Sequence, residues 1–269
     1  MPSTRSSEAK QRDRDRARVA RLLKPHAPPD WETRFRKTEL LDSVIEGQPI
    51  HVFVMAADIR ESTTIMKEAV RFERFAQVMD KFVSSVRQGI RRSGGWFDKF
   101  TGDGFLAYWI VQPGSPSEYE EWFVQTAGDI AHTSNVLIEL FHRRVLEDFR
   151  DNSRNLSAGV GLSIGLDAGP AHLVKIADEL TVVGPPVVGA VRMVTAATTK
   201  EILANVYLGR RLRDEQDGVY EALRVSVARE FRPTKEYPKG QEVYSLTFRS
   251  EGEEIEQTAG SDPDRSARP

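Results

Sequence analysis

The 269-residue chain sets 38 Lys and Arg against 40 Asp and Glu, a formal net charge of −2. That balance gives no bulk attraction to nucleic acid or to an anionic membrane. There is no cysteine, which excludes disulfides, zinc–thiolate sites and cysteine nucleophiles. The histidines His26, His51, His132, His142 and His172 are scattered without metal-ligand spacing. No apolar run reaches the length a bilayer requires, and the first residues lack the apolar core of a signal peptide. A cytoplasmic protein is therefore expected, with neither membrane nor nucleic acid as a partner.

Residues 1–30 alternate Arg with Asp and Ser before the Pro28-Pro29 pair, a composition that predicts a disordered or marginally helical arm. Residues 51–57 are apolar after the first and end at Asp58, as a buried strand does. Phe72, Phe75, Met79, Phe82, Val83, Val86 and Ile90 then recur at helical spacing, until Gly94-Gly95. Residues 96–101 and 105–110 read as a hairpin closed by Gly102-Asp103-Gly104. A long helix is predicted over 117–149. Next, Val160, Leu162, Ile164 and Leu166 alternate with Gly159, Gly161, Ser163 and Gly165. That pattern predicts a strand whose small-residue face admits close approach of a helix or a partner subunit. Strands over 171–176 and 180–183 lead into a helix over 187–203, and a final strand covers 243–248. Residues 250–269 are acidic and rich in Gly, Ser and Pro, and predict a disordered tail. The folded unit, 31–249, is an α+β domain with a ferredoxin-like βαββαβ core, its antiparallel sheet covered by helices.

Two carboxylates carry the chemistry. Asp58 ends the first strand and Asp103 sits in the hairpin turn. In a βαββ arrangement these strands are neighbours, so the two side chains can converge at one sheet edge. Carboxylates that close repel unless a cation lies between them, and hard divalent ions take oxygen ligands together with phosphate oxygens. Each residue also has an ordinary local role, Asp58 as a helix cap and Asp103 in a turn. Ser62 and Thr63 open the following helix, where they either cap it or lie beside amides that bind phosphate.

Residues 55–63 (MAADIREST) resemble the first metal motif of the class III adenylyl and guanylyl cyclases, and residues 95–107 (GWFDKFTGDGFLA) resemble the second. GLSIG at 161–165 with Gly169, LTVVG at 180–184 with AVRM at 190–193, and YPKG at 237–240 before Val243-Tyr244 follow in the family's order. The resemblance covers residues 48–248. It implies that Asp58 and Asp103 bind two divalent metal ions, Mn²⁺ or Mg²⁺, with Ile59 lending its carbonyl. It implies a head-to-tail homodimer with active sites at the interface and a nucleoside triphosphate as substrate. Arg60, Ser62 and Thr63 would lie against the nucleotide, Lys99 and Thr181 would select the base, and Arg192 would neutralise the transferring phosphate.

Four positions depart from the family pattern. Glu61 stands where a Gly is usual, Val188 where an Asn orients the ribose, and Pro185-Pro186 flank it; Lys239 or Gln241 stands near the place of a lysine for the triphosphate tail. With its short stand-alone layout, the chain looks most like the pyrimidine (uridylate or cytidylate) cyclases of bacterial Pycsar anti-phage systems. Those supply a cyclic nucleotide to a downstream effector. A lysine ammonium only donates, which favours a carbonyl such as uracil O4, although cytosine O2 is also an acceptor. The expected activity is conversion of UTP, or CTP, to its 3′,5′-cyclic monophosphate. The alternatives are an adenylate cyclase and a non-catalytic nucleotide-binding regulatory module.

Overall fold

A computed structural model describes residues 4–34, 37–111, 116–152, 157–176, 179–214, 225–234 and 237–248. Three helices come first, α1 (Thr4–Leu23), α2 (Trp31–Arg34) and α3 (Lys37–Glu46), followed by β1 (Ile50–Arg60), α4 (Ser62–Glu68) and α5 (Phe72–Arg92). The hairpin is β2 (Trp96–Phe100) and β3 (Gly104–Val111). A long helix α6 (Pro116–Leu140) passes through a π turn at Phe141–Val145 into α7 (Leu146–Asn152). Then come β4 (Gly161–Ile176), β5 (Glu179–Val183), α8 (Pro185–Ala196), β6 (Ile202–Ala204), α9 (Val206–Asp214), β7 (Val225–Arg232) and β8 (Gln241–Phe248). The sheet runs β2-β3-β1-β4-β6-β8-β7, with β5 paired to the far half of β4. Among the described residues, only β4 and β6 pair in parallel.

Both faces of the central strand are covered, which is why β1 reads as an unbroken apolar run. Phe53, Met55 and Ala57 pack with Val78, Phe82, Val86 and Ile90 of α5 and with Phe123, Ala127 and Ile130 of α6. Val52, Val54 and Ala56 point the other way, to Ala190 and Val194 of α8 and to Leu23, Ala27, Trp31, Leu40 and Leu41. The N-terminal arm forms helix α1 from Thr4 to Leu23, the helical form of the expectation. Its ordering comes from a few anchors at its end and from ion pairs along it. Arg16 meets Asp42 at 2.7 Å and Arg12 meets Glu46 at 2.5 Å. Arg16 and then Arg12 hold the Asp42 carboxyl well below the usual carboxylate range. The arm also covers the open side of edge strand β2, where the Phe97 N–H donates to the His26 carbonyl at 3.2 Å.

Other elements differ from expectation. The helix predicted over 187–203 stops at Ala196, because Ala197 is extended, Lys200 has φ 66°, and Ile202–Ala204 pair as β6. The strands predicted at 171–176 and earlier are one continuous β4. Helix α9 and edge strand β7 were not foreseen, and the tail predicted over 250–269 lies outside the described residues. The small face of β4 does admit a helix: at Gly165 an added Cβ would come within 2.2 Å of the α8 backbone at Ala190 and Val194.

Asp167 follows on that same face, 5 % exposed, with Oδ1 accepting from the Ala168 N–H at 2.6 Å and Oδ2 against Gly189 of α8. Burial pushes its carboxyl up to about 7, against that one backbone hydrogen bond. A carboxyl with a raised native pKa binds protons more tightly folded than unfolded. Its stabilising contribution is complete below the ordinary carboxylate pKa and is lost as pH rises towards about 7. At about 1.4 kcal/mol per pKa unit, Asp167→Asn is expected to raise stability by a few kcal/mol at pH 8 and little at pH 4. Urea unfolding of both chains across that range checks it.

Candidate active site

Pairing between β1 and β3 sets Asp58 opposite Gly104, so the hairpin turn closes over the end of β1. The Ile59 N–H donates to the Asp103 carbonyl at 3.1 Å, and the Ser62 hydroxyl donates to Asp103 Oδ2 at 2.5 Å. Asp58, Ile59 and Asp103, expected to share metal ions, thus lie together, with Ser62, expected at the nucleotide, bonded to Asp103. The Asp58 carboxyl is raised by burial above all and also by the Asp103 charge, with Arg60 opposing. A cavity of about 560 Å³ opens alongside, walled in part by Ile59, Ser62, Thr63, Phe75 and Asp103.

Arg60 lies 3.4 Å from Asp58, donates to Ser163 Oγ at 2.8 Å and also bonds the Val194 carbonyl. It ties the end of β1 to β4 and to the last turn of α8, instead of standing open to a nucleotide. The next residue, Glu61, has φ 56°, a left-handed conformation that costs a residue bearing a Cβ about 1–2 kcal/mol. This accounts for a Gly at the matching family position. Glu61→Gly is expected to stabilise the chain by about 1 kcal/mol, after Gly's own entropic cost. The denaturation midpoint would rise with an unchanged m-value.

A second cluster lies on β2 and β5. The Lys99 ammonium donates to Thr181 Oγ1 at 2.8 Å, and the Thr181 hydroxyl donates to Asp98 Oδ2 at 2.8 Å. Lys99 and Thr181, predicted as partners from positions 82 residues apart, do meet. Asp98 was missed. The register between β2 and β3 shifts between Phe97 and Lys99, and this bulge lets adjacent residues serve one cluster where a regular pleat would send them to opposite faces.

Arg192 sits elsewhere, in a groove of about 480 Å³ on α8 with Val188, Val191, Thr195 and Thr234. Val188 and Val191 are 49 % and 47 % exposed. One chain thus carries three separate pieces: the acidic pair, the Lys99–Thr181–Asp98 cluster and the Arg192 face.

Solved structures share the fold that carries these pieces. The adenylyl cyclase CyaB from P. aeruginosa superposes with a TM-score of 0.60 at 18 % identity, over 76 % of this chain and 96 % of that one. The guanylyl cyclase Cya2 gives 0.58 at 16 %, over 77 % and 96 %. The guanylate cyclase domain of RhGC from Catenaria anguillulae, in complex with GTP, gives 0.51 at 19 %, over 75 % and 98 %. The fold is that of a nucleotidyl cyclase catalytic domain. No family model matches the chain, and no curated protein matches it. Within this cyclase fold, no helix among the described residues is long and apolar enough to cross a membrane, and no group of three or more acidic or histidine side chains is gathered as a metal cluster.

Proposed function

We propose that the chain is a nucleotidyl cyclase that closes a pyrimidine nucleoside triphosphate, UTP before CTP, to its 3′,5′-cyclic monophosphate and releases pyrophosphate. The observation that carries this reading is the meeting of Asp58 and Asp103 at the end of β1, in a fold shared with cyclase domains. The donor set suits hard divalent ions: two carboxylates at the end of β1, the Asp58 carboxyl raised first by burial and also by the Asp103 charge, with the Ile59 backbone beside them. Asp58, Asp103 and the Ile59 carbonyl would hold Mn²⁺ or Mg²⁺, which when bound acidifies the ribose 3′-hydroxyl and offsets phosphate charge.

The chain's own residues account for the rest. Ser62 fixes the Asp103 carboxylate. Arg60 anchors the end of β1 to α8. Arg192 offers a fixed cation where negative charge develops as the 3′-oxygen bonds the α-phosphorus and the bond to pyrophosphate breaks. Lys99 donates to a base carbonyl. Because Arg192 and Asp103 line different cavities, a head-to-tail homodimer would complete each site from two chains, with the exposed Val188 and Val191 beside Arg192 at the interface. Val188 cannot hydrogen-bond ribose, so the ribose is held without the family's Asn. The product would serve a cyclic-nucleotide effector in anti-phage defence.

The direct test is incubation with each of the four triphosphates and Mn²⁺, followed by chromatography of the products. Cyclic UMP as the main product supports the reading, and predominant cyclic AMP gives the protein to the adenylate cyclases. No cyclic product from any triphosphate, with retained nucleotide binding, favours a regulatory module.

A further inference from the structure

We infer that Asp167 is a positioning residue that makes the seat of α8 depend on pH: the helix that carries Arg192 docks firmly on β4 over a protonated Asp167 and loosens as that carboxyl ionises. The effect on turnover rests on the cyclase reading; the effect on α8 stands without it.

Helix α8 lies along one face of β4. A Cβ added at Gly169 would meet the Pro186 ring, and one at Gly165 would strike the backbone of Ala190 and Val194. Between these two glycines, on the same face, stands Asp167. Its Oδ2 fills the space that a side chain at Gly189 would take. The carboxyl is therefore wedged into the closest part of the helix–strand contact.

A buried carboxylate needs a counter-charge or several donors. Asp167 Oδ1 accepts from the Ala168 N–H. Across from it β1 presents Val54, and β6 runs alongside through Ala204 towards Asn205. Arg192 is the one charged residue of α8, and Arg60 reaches the last turn of that helix. Neither arginine offsets the cost among the described residues: burial raises the carboxyl to about 7, opposed by the Ala168 N–H. Pro185 and Pro186 have no N–H, so the start of α8 brings no pair of amides to an anion.

The helix seated in this way holds both parts of the proposed chemistry. Arg192 follows Gly189 by one turn, and the exposed Val188 and Val191 flank it. At the other end the Val194 carbonyl accepts from Arg60, which lies 3.4 Å from Asp58. Gly184, at φ 151°, precedes α8, and the extended Ala197 follows it, so the helix is joined to the sheet at two terminal positions where a hinge can act. A loosened helix exposes Asp167 to water, where the ordinary carboxylate pKa of about 4 applies. Protons then favour the docked helix. Its opening should increase about tenfold per pH unit from the ordinary carboxylate range up to about pH 7, and level off above, where the docked form is ionised too.

The test is hydrogen exchange at the α8 amides, Val188 to Met193, in the native and Asp167→Asn chains from about pH 5 to about pH 8, with intrinsic rates divided out. Native protection should fall about 100-fold between pH 5 and pH 7 and then level. The Asn chain, neutral throughout, should hold its protection constant. A native profile without pH dependence overturns the inference. So does exchange of α8 through global unfolding alone, with an opening free energy equal to that from urea, because Asp167 would then be a stability element and no more. If Asp167→Asn does not fold, the native profile decides by itself.

Turnover supplies the second readout, as the ratio of kcat in the native chain to kcat in Asp167→Asn with Mg²⁺. The ratio removes titrations that both chains share. It should fall at least about threefold from pH 5.5 to pH 7.5, with the Asn chain the faster at neutral pH, whereas structural damage would make it slower at every pH. A flat ratio beside pH-dependent exchange overturns the positioning role. A chain that forms no cyclic product at any pH defeats the cyclase reading instead, and the exchange profile still decides whether Asp167 governs α8.

Discussion

Asp58→Ala and Asp103→Ala are each expected to lower cyclic-nucleotide formation by about 10³-fold while the chain stays folded. Divalent ions at such a site contribute several kcal/mol to the transition state, and each 1.36 kcal/mol is tenfold in rate. Loss of either carboxylate removes a ligand for a charge that the triphosphate alone cannot hold in place. The fold should tolerate both changes. Asp58 is half-buried, raised by burial and by its neighbour's charge, so its removal relieves repulsion at the end of β1. Asp103 lies in an exposed turn whose closure rests on backbone bonds, from Ile59 to Asp103 and from Thr101 to Gly104. Retained thermal stability beside lost activity is the expected pair of results, measured by calorimetry and by product chromatography with Mn²⁺. Full activity in either variant would remove the acidic pair from the chemistry.

The acidic pair was legible in the sequence because two strong local patterns located it. An unbroken apolar run marked β1 and a Gly-Asp-Gly turn marked the hairpin, and antiparallel neighbours with a short turn have few ways to pair. The helical stripe of α5 and the alternation of β4 were legible for the same reason, since each buries one regular face. Gly165 was read as a place of close approach, and α8 takes it.

What stayed hidden depends on partners distant in sequence. Helix α1 has little apolar content of its own; Arg12 and Arg16 find Asp42 and Glu46 only after α3 is placed, and Trp31 packs edge-on to Trp96 only after β2 is placed. Strand β6 has three residues, too few for any period to show. The end of α8 was overshot because Ile202 and Leu203 extend its apolar pattern, while the break lies in backbone angles at Ala197 and Lys200. Asp98 went unread because a bulge overrides the period of two, and no residue in FDKF announces one. The family pattern named Lys99 and Thr181; the hydrogen bond that fixes the direction of the Thr181 proton belongs to the neighbour it did not name.

Arg192→Ala is expected to cost about 10²–10³-fold in turnover, the usual loss when a preorganised donor to a developing oxyanion is removed. Its more telling behaviour comes in mixtures. Arg192 and Asp103 line different cavities of one chain. If each site takes its acidic pair from one chain and its arginine from the other, a mixture of Asp58→Ala and Arg192→Ala chains contains a working combination that neither variant has alone. In a heterodimer, one site collects both defects and the other collects none. Random exchange in an equal mixture makes half of the dimers mixed, so activity should return to about one quarter of the native level, as closed two-fold symmetry requires. Recovery should follow subunit exchange in time and disappear on dilution below the dimer dissociation constant. If both residues served the same chain's site, every chain in the mixture would carry a defective site, and no ratio of the two variants would restore turnover. Arg192 is set on a helix whose neighbouring exposed side chains are valines, and Val188→Asp should therefore weaken the dimer and abolish recovery, leaving each monomer folded.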